Sequence, residues 1–316
     1  MSEKPEISAV VVNRNSRELL SGCLDSLFSC ASAGRMEVIV VDNASSDGSA
    51  DMVRERFPAA KLIVNACNAG FAAGNNQGIR TAAGRYYLLI NNDTAFSGDL
   101  PGELAAFLDR HPRAGLSGPK LVRPDGSVQF SVYPRPSPLH SLLKLLRAYL
   151  LLPAAMRARL FSGPYFDYSA ESEVDRISGA CVMVRAEAVS AAGPLDEDFF
   201  FYGEVHDWCW RMREQGWETW YFPGASVLHH GGQSASGQWD AGRRRGLMLE
   251  ATFRLYSKHF SMPRKWAIVL LEFLCSVSSW LIWRPFSGTK ASLAALEARW
   301  YAGVIWRAVS GGGGEK

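Results

Sequence analysis

The first 93 residues alternate short apolar runs with amphipathic stretches, and this alternation constrains the fold more than any other feature of the chain. The apolar runs at 7–12, 37–41, 61–64 and 86–90 predict strands, and the stretches between them predict helices. Strands that alternate with helices form right-handed βαβ units. We therefore predict an α/β fold with a mostly parallel central sheet flanked by helices.

Small polar residues follow each of these predicted strands. They are 13–15 (NRN), 42–48 (DNASSDG), 65–70 (NACNAG) and 91–93 (NND). Asn, Asp and Gly favour turns for backbone reasons alone, so a single such turn indicates little. Four of them at the carboxyl ends of neighbouring strands predict a ligand site, because open α/β sheets bind ligands at that edge.

Asp93 is the candidate metal ligand, because Mg²⁺ and Mn²⁺ at nucleotide sites take one or two protein carboxylates together with phosphate oxygens. Just upstream, the glycine-spaced segment 68–78 predicts close approach of the backbone to a ligand. It leads into a helix predicted over 75–83, and the amide groups at a helix N-terminus favour anions. No Gly-Lys-Ser/Thr follows the glycines, so this is not a Walker loop.

A second acidic cluster lies in 199–211 (FFFYGEVHDWCWR). Glu204 suits a general base, because partial burial among aromatic residues raises a carboxyl pKa toward neutrality. Asp207 has the same potential, or instead caps the helix predicted over 207–215 or pairs with Arg211 four residues on. Further on, His229 precedes two glycines in 227–234, where it binds a metal or phosphate or forms a surface pair with His230.

These blocks together resemble the inverting family 2 glycosyltransferases. The matching blocks are 10–15, 41–49, 68–78, 89–93, 193–211 and 229–234, and the resemblance covers about residues 7–240 in the family's order. Within the family, the chain is most similar to rhamnosyltransferase-like enzymes of bacterial cell-surface polysaccharide synthesis. The resemblance implies a GT-A fold, a UDP- or dTDP-sugar donor and a divalent cation, Mg²⁺ or Mn²⁺.

The resemblance also implies roles for single residues. Asp93 matches the last Asp of the metal-binding D-x-D motif, and His229 matches a His that completes the metal site in some relatives. Asp42 falls where a carboxylate reads the pyrimidine base. The nucleotide-sugar-binding residues implied in this way are Asn13, Asn15, Asp42, Asn68, Gly70, Asn75, Asn91 and Asn92.

Three positions depart from the family pattern. Arg14 stands where the family usually has Tyr, and Asn91 stands where it often has Asp, which leaves Asp93 as the main metal carboxylate. Val205 stands where the second acid of the base motif is expected. Since that second acid is commonly the base, the role passes to Glu204, His206 or Asp207, and we assign Glu204 first and Asp207 second.

The hypothesis is an inverting transfer of a sugar, with rhamnose as the candidate, to a hydroxyl of a glycan or lipid-linked acceptor. One alternative is a sugar nucleotidyltransferase, which needs a longer glycine-rich loop with Arg and Lys after the first strand than 13–15 supplies. The other is a catalytically degenerate sugar-nucleotide-binding protein, which Val205 motivates.

The sequence predicts two domains, a glycosyltransferase domain over 1–256 and a helical extension over 257–316. The extension carries eight Lys or Arg against three Glu and holds five of the ten Trp, although the whole chain has a net charge of only +3. The remaining body is mildly acidic, which argues against nucleic acid as a partner.

Two segments suggest contact with a membrane. Residues 266–283 contain a single charge, Glu272, and are compatible with a span, an in-plane or hairpin helix, or a soluble packing helix. Residues 139–152, followed by the basic stretch 156–160, predict an amphipathic helix on a membrane or on the sheet.

The composition also bears on the compartment. A polar start at 1–6 predicts no secretory signal, and six cysteines without paired spacing predict reduced thiols. We therefore expect a cytoplasmic protein that is peripheral or anchored at the inner face of the cell membrane.

Overall fold

A computed structural model describes residues 4–231 and 240–310, which divide into two compact units. The first, here called the sheet unit, comprises Met1–Pro134 and Phe166–Gln238, and the second, the helical unit, comprises Arg135–Tyr165 and Trp239–Lys316. The division predicted at 256–257 differs from this one in two ways. It falls inside a helix, Ala241–His259, and it leaves out the internal segment that joins the helical unit.

The sheet unit contains eleven strands and six α-helices among its described residues. The strands are β1 (Ile7–Asn13), β2 (Met36–Asp42), β3 (Lys61–Val64), β4 (Tyr86–Asn91), β5 (Thr94–Ala95), β6 (Ala114–Val122), β7 (Val132–Tyr133), β8 (Ser172–Glu173), β9 (Arg176–Ile177), β10 (Cys181–Arg185) and β11 (Glu218–His229). The helices are α1 (Arg17–Ser29), α2 (Ser49–Arg56), α3 (Gly70–Thr81), α4 (Leu100–Arg110), α7 (Ala186–Ala192) and α8 (Glu204–Glu214).

Nine strands form one sheet with the order β3-β2-β1-β4-β10-β6-β11-β5, and β8 pairs with β11 beside this path. The first four strands are parallel, as predicted, with β1 in the middle between β2 and β4. The sheet as a whole is mixed rather than mostly parallel, because β10 runs antiparallel to both β4 and β6. β11 returns to a parallel pairing with β6.

Alternate side chains of β1 enter opposite layers of the core, as the period of a strand requires. Ile7, Ala9 and Val11 pack into the cluster that contains the buried leucines of α1. Val10 faces the other cluster, which includes Ala72 of α3. The sheet is therefore covered on both faces, and its polar strand ends are left at one edge.

Helix α3 begins at Gly70, five residues before the predicted start, and two of its glycines pack against the sheet. A Cβ atom at Gly74 would lie 2.9 Å from Cγ1 of Val12, and one at Gly78 would lie 2.3 Å from Cγ1 of Val10. These two glycines therefore permit close packing of a helix on a strand, and not the approach to a ligand that we predicted for the segment.

We expect Gly78→Ala to lower the free energy of unfolding by about 1–3 kcal/mol, because the added methyl overpacks the contact with Val10. Gly22→Ala in α1 is the matched control, since its Cβ would meet nothing within 4 Å, and it should raise stability by up to about 1 kcal/mol. Urea unfolding followed by circular dichroism measures both. Equal effects of the two substitutions would contradict the packing role of Gly78.

β11 is a single strand, whereas two short strands were predicted over 220–222 and 227–228. Its pairing with β6 shifts register between Phe222 and Ser226, so an irregularity of the strand accounts for the break in the apolar pattern. The strand continues to His229, which lies beside β5 with Thr94 as its partner in the ladder. The predicted motif residues 232–234 lie outside the described part of the chain.

The helical unit contains α5 (Pro138–Leu145), α6 (Ala154–Phe161), α9 (Ala241–His259), α10 (Met262–Trp283) and α11 (Gly288–Val309). The helix predicted over 139–152 ends at Leu145, because Arg147 adopts a left-handed conformation (φ 55°) and a 3₁₀ turn, Ala148–Leu151, follows. α10 packs on both α5 and α11. Within the described residues, it is the one helix long and apolar enough to cross a membrane.

Candidate active site

The carboxyl ends of β1, β2 and β4 are joined by a chain of side-chain hydrogen bonds. Asn92 Nδ2 donates to Asn13 Oδ1 (2.6 Å), and Asn13 Nδ2 donates to Asp42 Oδ2 (3.1 Å). The other oxygen of Asp42 accepts from the backbone N–H of Ser45 (2.8 Å). All three predicted side chains are buried, so their hydrogen bonds fix the relative positions of the strand ends.

The loops after β1 and β2 also bind each other. The backbone N–H of Asn15 donates to Ser45 Oγ (2.9 Å), and Asn15 Oδ1 accepts from the N–H of Ser46 (2.7 Å). Asn15 and Ala44 both have positive φ, 48° and 59°, so the two turns are tightly shaped. Arg14 precedes Asn15 in the first of these turns, and its buried Nε has no hydrogen-bond partner within the described ranges.

The predicted glycine loop connects this edge to the aromatic run before α8. Asn68 Oδ1 accepts from the N–H of Gly70 (3.1 Å), and Asn75 Nδ2 donates to the carbonyl of Phe71 (2.9 Å). Phe71 N–H donates in turn to the carbonyl of Phe200 (3.1 Å), and a Cβ at Gly70 would lie 2.7 Å from that carbonyl. Gly70 has φ 86°, so this position favours glycine for both conformation and space.

Asp93 and His229 face each other across the β5–β11 pairing. Asp93 Oδ1 lies 3.3 Å from His229 Nε2, and Asn91 Nδ2 lies 3.5 Å from the same nitrogen. The second ring nitrogen, Nδ1, is 2.9 Å from the amide oxygen of Gln129. An amide oxygen only accepts, so Nδ1 is the donor in this contact, and Nε2 is the ring nitrogen that faces Asp93 Oδ1.

These residues fit a divalent cation. Asp93 Oδ1 is buried without a hydrogen-bond donor in the part of the chain that the structure describes, and the hydrogen bond of His229 Nδ1 to Gln129 leaves Nε2 as the nitrogen available to a metal. No group of three or more His, Cys, Asp or Glu side chains suited to a metal occurs in residues 4–231 and 240–310. The pair thus matches a site that relies on substrate phosphates for the remaining ligands.

Glu204 is the first residue of α8 and is 7% exposed. It follows Gly203, which has φ 89°, and its Oε2 is buried with no hydrogen-bond partner among the described residues. Burial, with a smaller contribution from the charge of Asp207, raises the pKa of Glu204 to about 7. A carboxylate that is poorly solvated and titrates near neutral pH has the properties of a general base.

The carboxylate of Asp207 is occupied by an ion pair. Its Oδ2 accepts from Arg211 Nε (2.7 Å), and the Arg211 guanidinium also donates to the carbonyls of Ala192 and Pro194. The i,i+4 pairing with Arg211, one of the three roles predicted for Asp207, is therefore formed, whereas the cap is not, because α8 begins at Glu204. His206 accepts from Arg176 Nη1 (3.3 Å), and burial together with that cation holds the pKa of His206 well below its usual value.

A short segment before β10 links Glu204 to the strand end that carries Asp93. The N–H of Asn91 donates to the carbonyl of Ala180 (2.9 Å). A Cβ at the preceding Gly179 would lie 3.9 Å from Glu204 Oε1 and 2.7 Å from Cγ2 of Val205. The candidate base and the candidate metal ligand thus flank one backbone segment.

The sequence did not indicate Gln129 or single out Arg14 as a site residue. Gln129 lies 100 residues from His229 in the chain and belongs to no recognisable spacing. Arg14 was visible only as a departure from the family pattern. Its position between Asn13 and Asn15 is the signal that would have identified it.

Comparison with known proteins identifies the family of the chain. The profile of the family "Glycosyl transferase family 2" matches residues 8–170. The chain is 30% identical over 230 residues to N-acetylglucosaminyl-diphospho-decaprenol L-rhamnosyltransferase of Mycobacterium tuberculosis, a match that covers 64% of this chain and 69% of the relative. The chain belongs to glycosyl transferase family 2, as the resemblance in its sequence predicted, and its activity class is glycosyl transfer.

Two solved structures resemble the chain in fold. GalNAc-T7 with UDP, GalNAc and Mn²⁺ aligns with a TM-score of 0.54 at 13% identity, over 80% of this chain and 50% of that protein. S. aureus TarS 1–349 aligns with a TM-score of 0.51, also at 13% identity, over 94% of this chain and 92% of that protein. The predicted GT-A fold is confirmed, with a helical extension at the C-terminal end.

Proposed function

We propose that the protein transfers a sugar, with rhamnose as the candidate, from a UDP- or dTDP-sugar to a hydroxyl of a lipid-linked glycan with inversion at the anomeric carbon. The proposal rests on the presence of a candidate metal-binding pair and a candidate general base at one edge of the sheet. Asp93 Oδ1 and His229 Nε2 lie 3.3 Å apart, and Oε2 of Glu204 is buried with no hydrogen-bond partner among the described residues. Rhamnose is the candidate sugar because the M. tuberculosis relative is an L-rhamnosyltransferase by name.

In this proposal Glu204, as the carboxylate, accepts the proton of the acceptor hydroxyl as that oxygen attacks the anomeric carbon. The bond from the anomeric carbon to the nucleotide diphosphate breaks on the opposite face. Asp93 and His229 would hold a divalent cation, Mg²⁺ or Mn²⁺, which supplies positive charge for the diphosphate. Gln129 keeps His229 in the ligating tautomer through its hydrogen bond to Nδ1.

The nucleotide is placed over the joined ends of β1, β2 and β4. The loops on either side are shaped by Asn15, Asn68, Gly70 and Asn75. The strand ends are fixed by Asn13, Asp42 and Asn92, and we assign Asp42 to the base of the nucleotide. We add Arg14 to this set, because its Nε, which has no hydrogen-bond partner in residues 4–231 and 240–310, is suited to a phosphate oxygen.

The acceptor is proposed from the same relative, whose name specifies an N-acetylglucosaminyl-diphospho-decaprenol substrate. A lipid-linked acceptor places the enzyme at the inner face of the cell membrane, in cell-surface polysaccharide synthesis. The alternative of a sugar nucleotidyltransferase is disfavoured by the loop after β1, since β1 ends at Asn13 and α1 already begins at Arg17.

A thermal-shift panel of UDP- and dTDP-sugars, each with and without Mn²⁺ or Mg²⁺, tests the donor site. We expect a metal-dependent rise in Tm for one pyrimidine nucleotide, because a ligand that binds only the native state stabilises it by mass action. Purine nucleotide sugars are the control. No shift with any pyrimidine nucleotide would contradict the proposal, and donor binding without turnover would favour the degenerate binding protein that Val205 motivates.

A further inference from the structure

We propose that the helical unit docks in the plane of an anionic lipid bilayer through a leucine face. This leucine face consists of the exposed side chains of α5, the turn after it, α10 and the turn after α10. The inference extends the proposed function, because a lipid-linked acceptor lies in the same bilayer. The proposed partner is a lipid surface, and none of the residues that contact it belongs to the candidate active site.

Helix α10 shows a partial inversion of the pattern expected for a helix that packs in water, because it exposes leucines while a Glu and a Ser are packed beside Ile268 and Val269. Leu270, Leu274 and Leu281 recur at spacings of four and seven, so they share one side of the helix, and they are 51%, 40% and 57% exposed. The polar residues Glu272 and Ser276 are on the packed side instead. An amphipathic helix in water does the opposite, turning its leucines inward.

Helix α5 has the same inversion. Leu139, Leu142 and Leu146, at spacings of three and four, are all exposed. Ser141, which is buried, and Lys144 instead donate to the two carboxylate oxygens of Glu272, at 2.9 and 2.8 Å. The two helices thus join through a polar contact and direct their leucines away from the protein, which is favourable only if an apolar phase covers them.

The turns beside the two helices add further exposed apolar side chains. The largest are Leu151 and Phe286, at 87% and 78% exposure. Near the C-terminal end of α10, Nζ of Lys290 from the first turn of α11 lies 4.1 Å from the ring centroid of Trp283, and Arg284 lies over the ring of Trp280. Aromatic rings next to cations are typical of the headgroup level of a bilayer.

Charge identifies the occupant of the leucine face. The segment 138–161 carries four cations, Lys144, Arg147, Arg157 and Arg159, and no Asp or Glu. Residues 281–290, which include the connection from α10 to α11, add Arg284 and Lys290, again without an acid. A surface of leucines edged by cations is complementary to anionic lipid headgroups over acyl chains, whereas two copies of it would repel each other.

The packing of α10 favours an in-plane position over a span. Glu272, in the middle of the helix, is bound by Lys144 and Ser141 of α5. Burial alone would raise the pKa of this carboxyl, but these two partners outweigh it and keep the pKa below its usual value. A spanning α10 would have to take this ion pair and the packed α5 into the hydrocarbon. An in-plane α10 leaves them on the protein side and immerses only the leucines.

Vesicle co-sedimentation of the full chain tests the proposal, using phosphatidylcholine vesicles with and without 30% phosphatidylglycerol (about a third of the lipid, enough for a strong surface charge). We expect binding to the anionic vesicles that weakens with salt. The triple variant Leu270→Gln, Leu274→Gln, Leu281→Gln should lower the partition coefficient about a hundredfold, since each buried Leu contributes substantially to transfer. The double variant Arg147→Gln, Arg159→Gln should lower it roughly twentyfold at low salt only.

The matched control is the double variant Val64→Gln, Met248→Gln, which removes exposed apolar side chains from outside the leucine face. It should bind vesicles like the wild type. All of these positions are exposed, so an unchanged Tm verifies folding in each variant. Vesicle binding by the leucine variant at the wild-type level would overturn the proposal. The proposal would also fail if the wild type bound no vesicles but formed a dimer in size exclusion that the leucine variant lost.

The in-plane geometry is tested with an impermeant maleimide on vesicles that already carry the protein. In a Cys67→Ser background, Ser261→Cys and Thr289→Cys place a thiol near each end of α10, at exposed polar positions that do not belong to the leucine face. Both should be labelled from the outside if the helix lies in the plane, and labelling of one alone would show a span. Donor binding is measured separately on the same samples, so failure of the leucine face is distinguishable from failure of the proposed function.

Discussion

Glu204→Gln should lower kcat by roughly two to four orders of magnitude while leaving the Kd of the donor nearly unchanged. The amide keeps the size of the side chain but accepts no proton, so only the step that activates the acceptor hydroxyl is lost. Glu214→Gln, the same substitution at the exposed far end of α8, is the matched control and should retain full activity. Full turnover by Glu204→Gln would remove Glu204 from the role of base.

The pH profile of the wild type gives an independent readout. A base must be ionised to act, so kcat/KM should rise with pH through the pKa of Glu204, about 7, and then level off. The residual activity of Glu204→Gln should lack this rise. A profile that already levels off near pH 5 would contradict the buried, poorly solvated carboxylate seen in the structure.

The same pKa predicts a change of stability with pH. The pKa is raised from 4.5, so the native state holds the Glu204 proton more tightly than the unfolded chain does over this interval. The resulting stabilisation is fully present below about pH 4.5 and is lost as pH rises through about 7. Relative to the wild type, Glu204→Gln should therefore gain up to about 3 kcal/mol in unfolding free energy between pH 4 and pH 8.

Asp93→Asn should abolish the metal-dependent part of donor binding. The amide removes the negative charge from a buried position that lies 3.3 Å from His229 Nε2, so a cation loses its one carboxylate ligand there. At a donor concentration of about a hundred times Kd, the wild type should gain about 2.7 kcal/mol in stability with Mn²⁺, and the variant almost none. Thermal shifts at a series of Mn²⁺ concentrations measure this difference.

Two further variants serve as a control and as an intermediate case for Asp93→Asn. Asp51→Asn changes an exposed carboxylate on α2 that pairs with Arg54, and its response to Mn²⁺ should match the wild type. Gln129→Leu removes the acceptor that fixes the His229 tautomer and should raise the Mn²⁺ concentration needed for a half-maximal shift by about 10- to 100-fold. A normal response of Asp93→Asn to Mn²⁺ would place the metal elsewhere.

The first four strands and the turns that follow them were predictable because their signals are local. The predicted bounds of β1, β2, β3 and β4 agree with the structure to within one residue at each end, since apolar runs and polar turns are written in consecutive residues. The parallel pairing of these strands follows from the helices between them. Their polar ends therefore had to meet at one edge, where Asn13, Asp42 and Asn92 are now joined by hydrogen bonds.

Other features depend on contacts between distant parts of the chain. The insertion of β10 between β4 and β6 turns a parallel sheet into a mixed one, and no periodicity in residues 181–185 indicates the neighbours that this strand finds. The same holds for Gln129, which meets His229 only because β11 extends unbroken to the edge beside β5. Pairing energy between strands is not encoded in either strand alone.

The sequence by itself determined the class of fold, the family and the edge of the sheet where the site lies, because periodicity, turn chemistry and motif spacing are properties of neighbouring residues. Only the tertiary structure decided the roles of individual groups within that edge. It paired Asp207 with Arg211 and buried Oε2 of Glu204 with no hydrogen-bond partner in the described ranges. It also joined Lys144 to Glu272, 128 residues away, so that the leucines of α5 and α10 face outward. Desolvation and ion pairing are set by whatever the fold brings within a few ångströms, and that is a property of the packed chain alone.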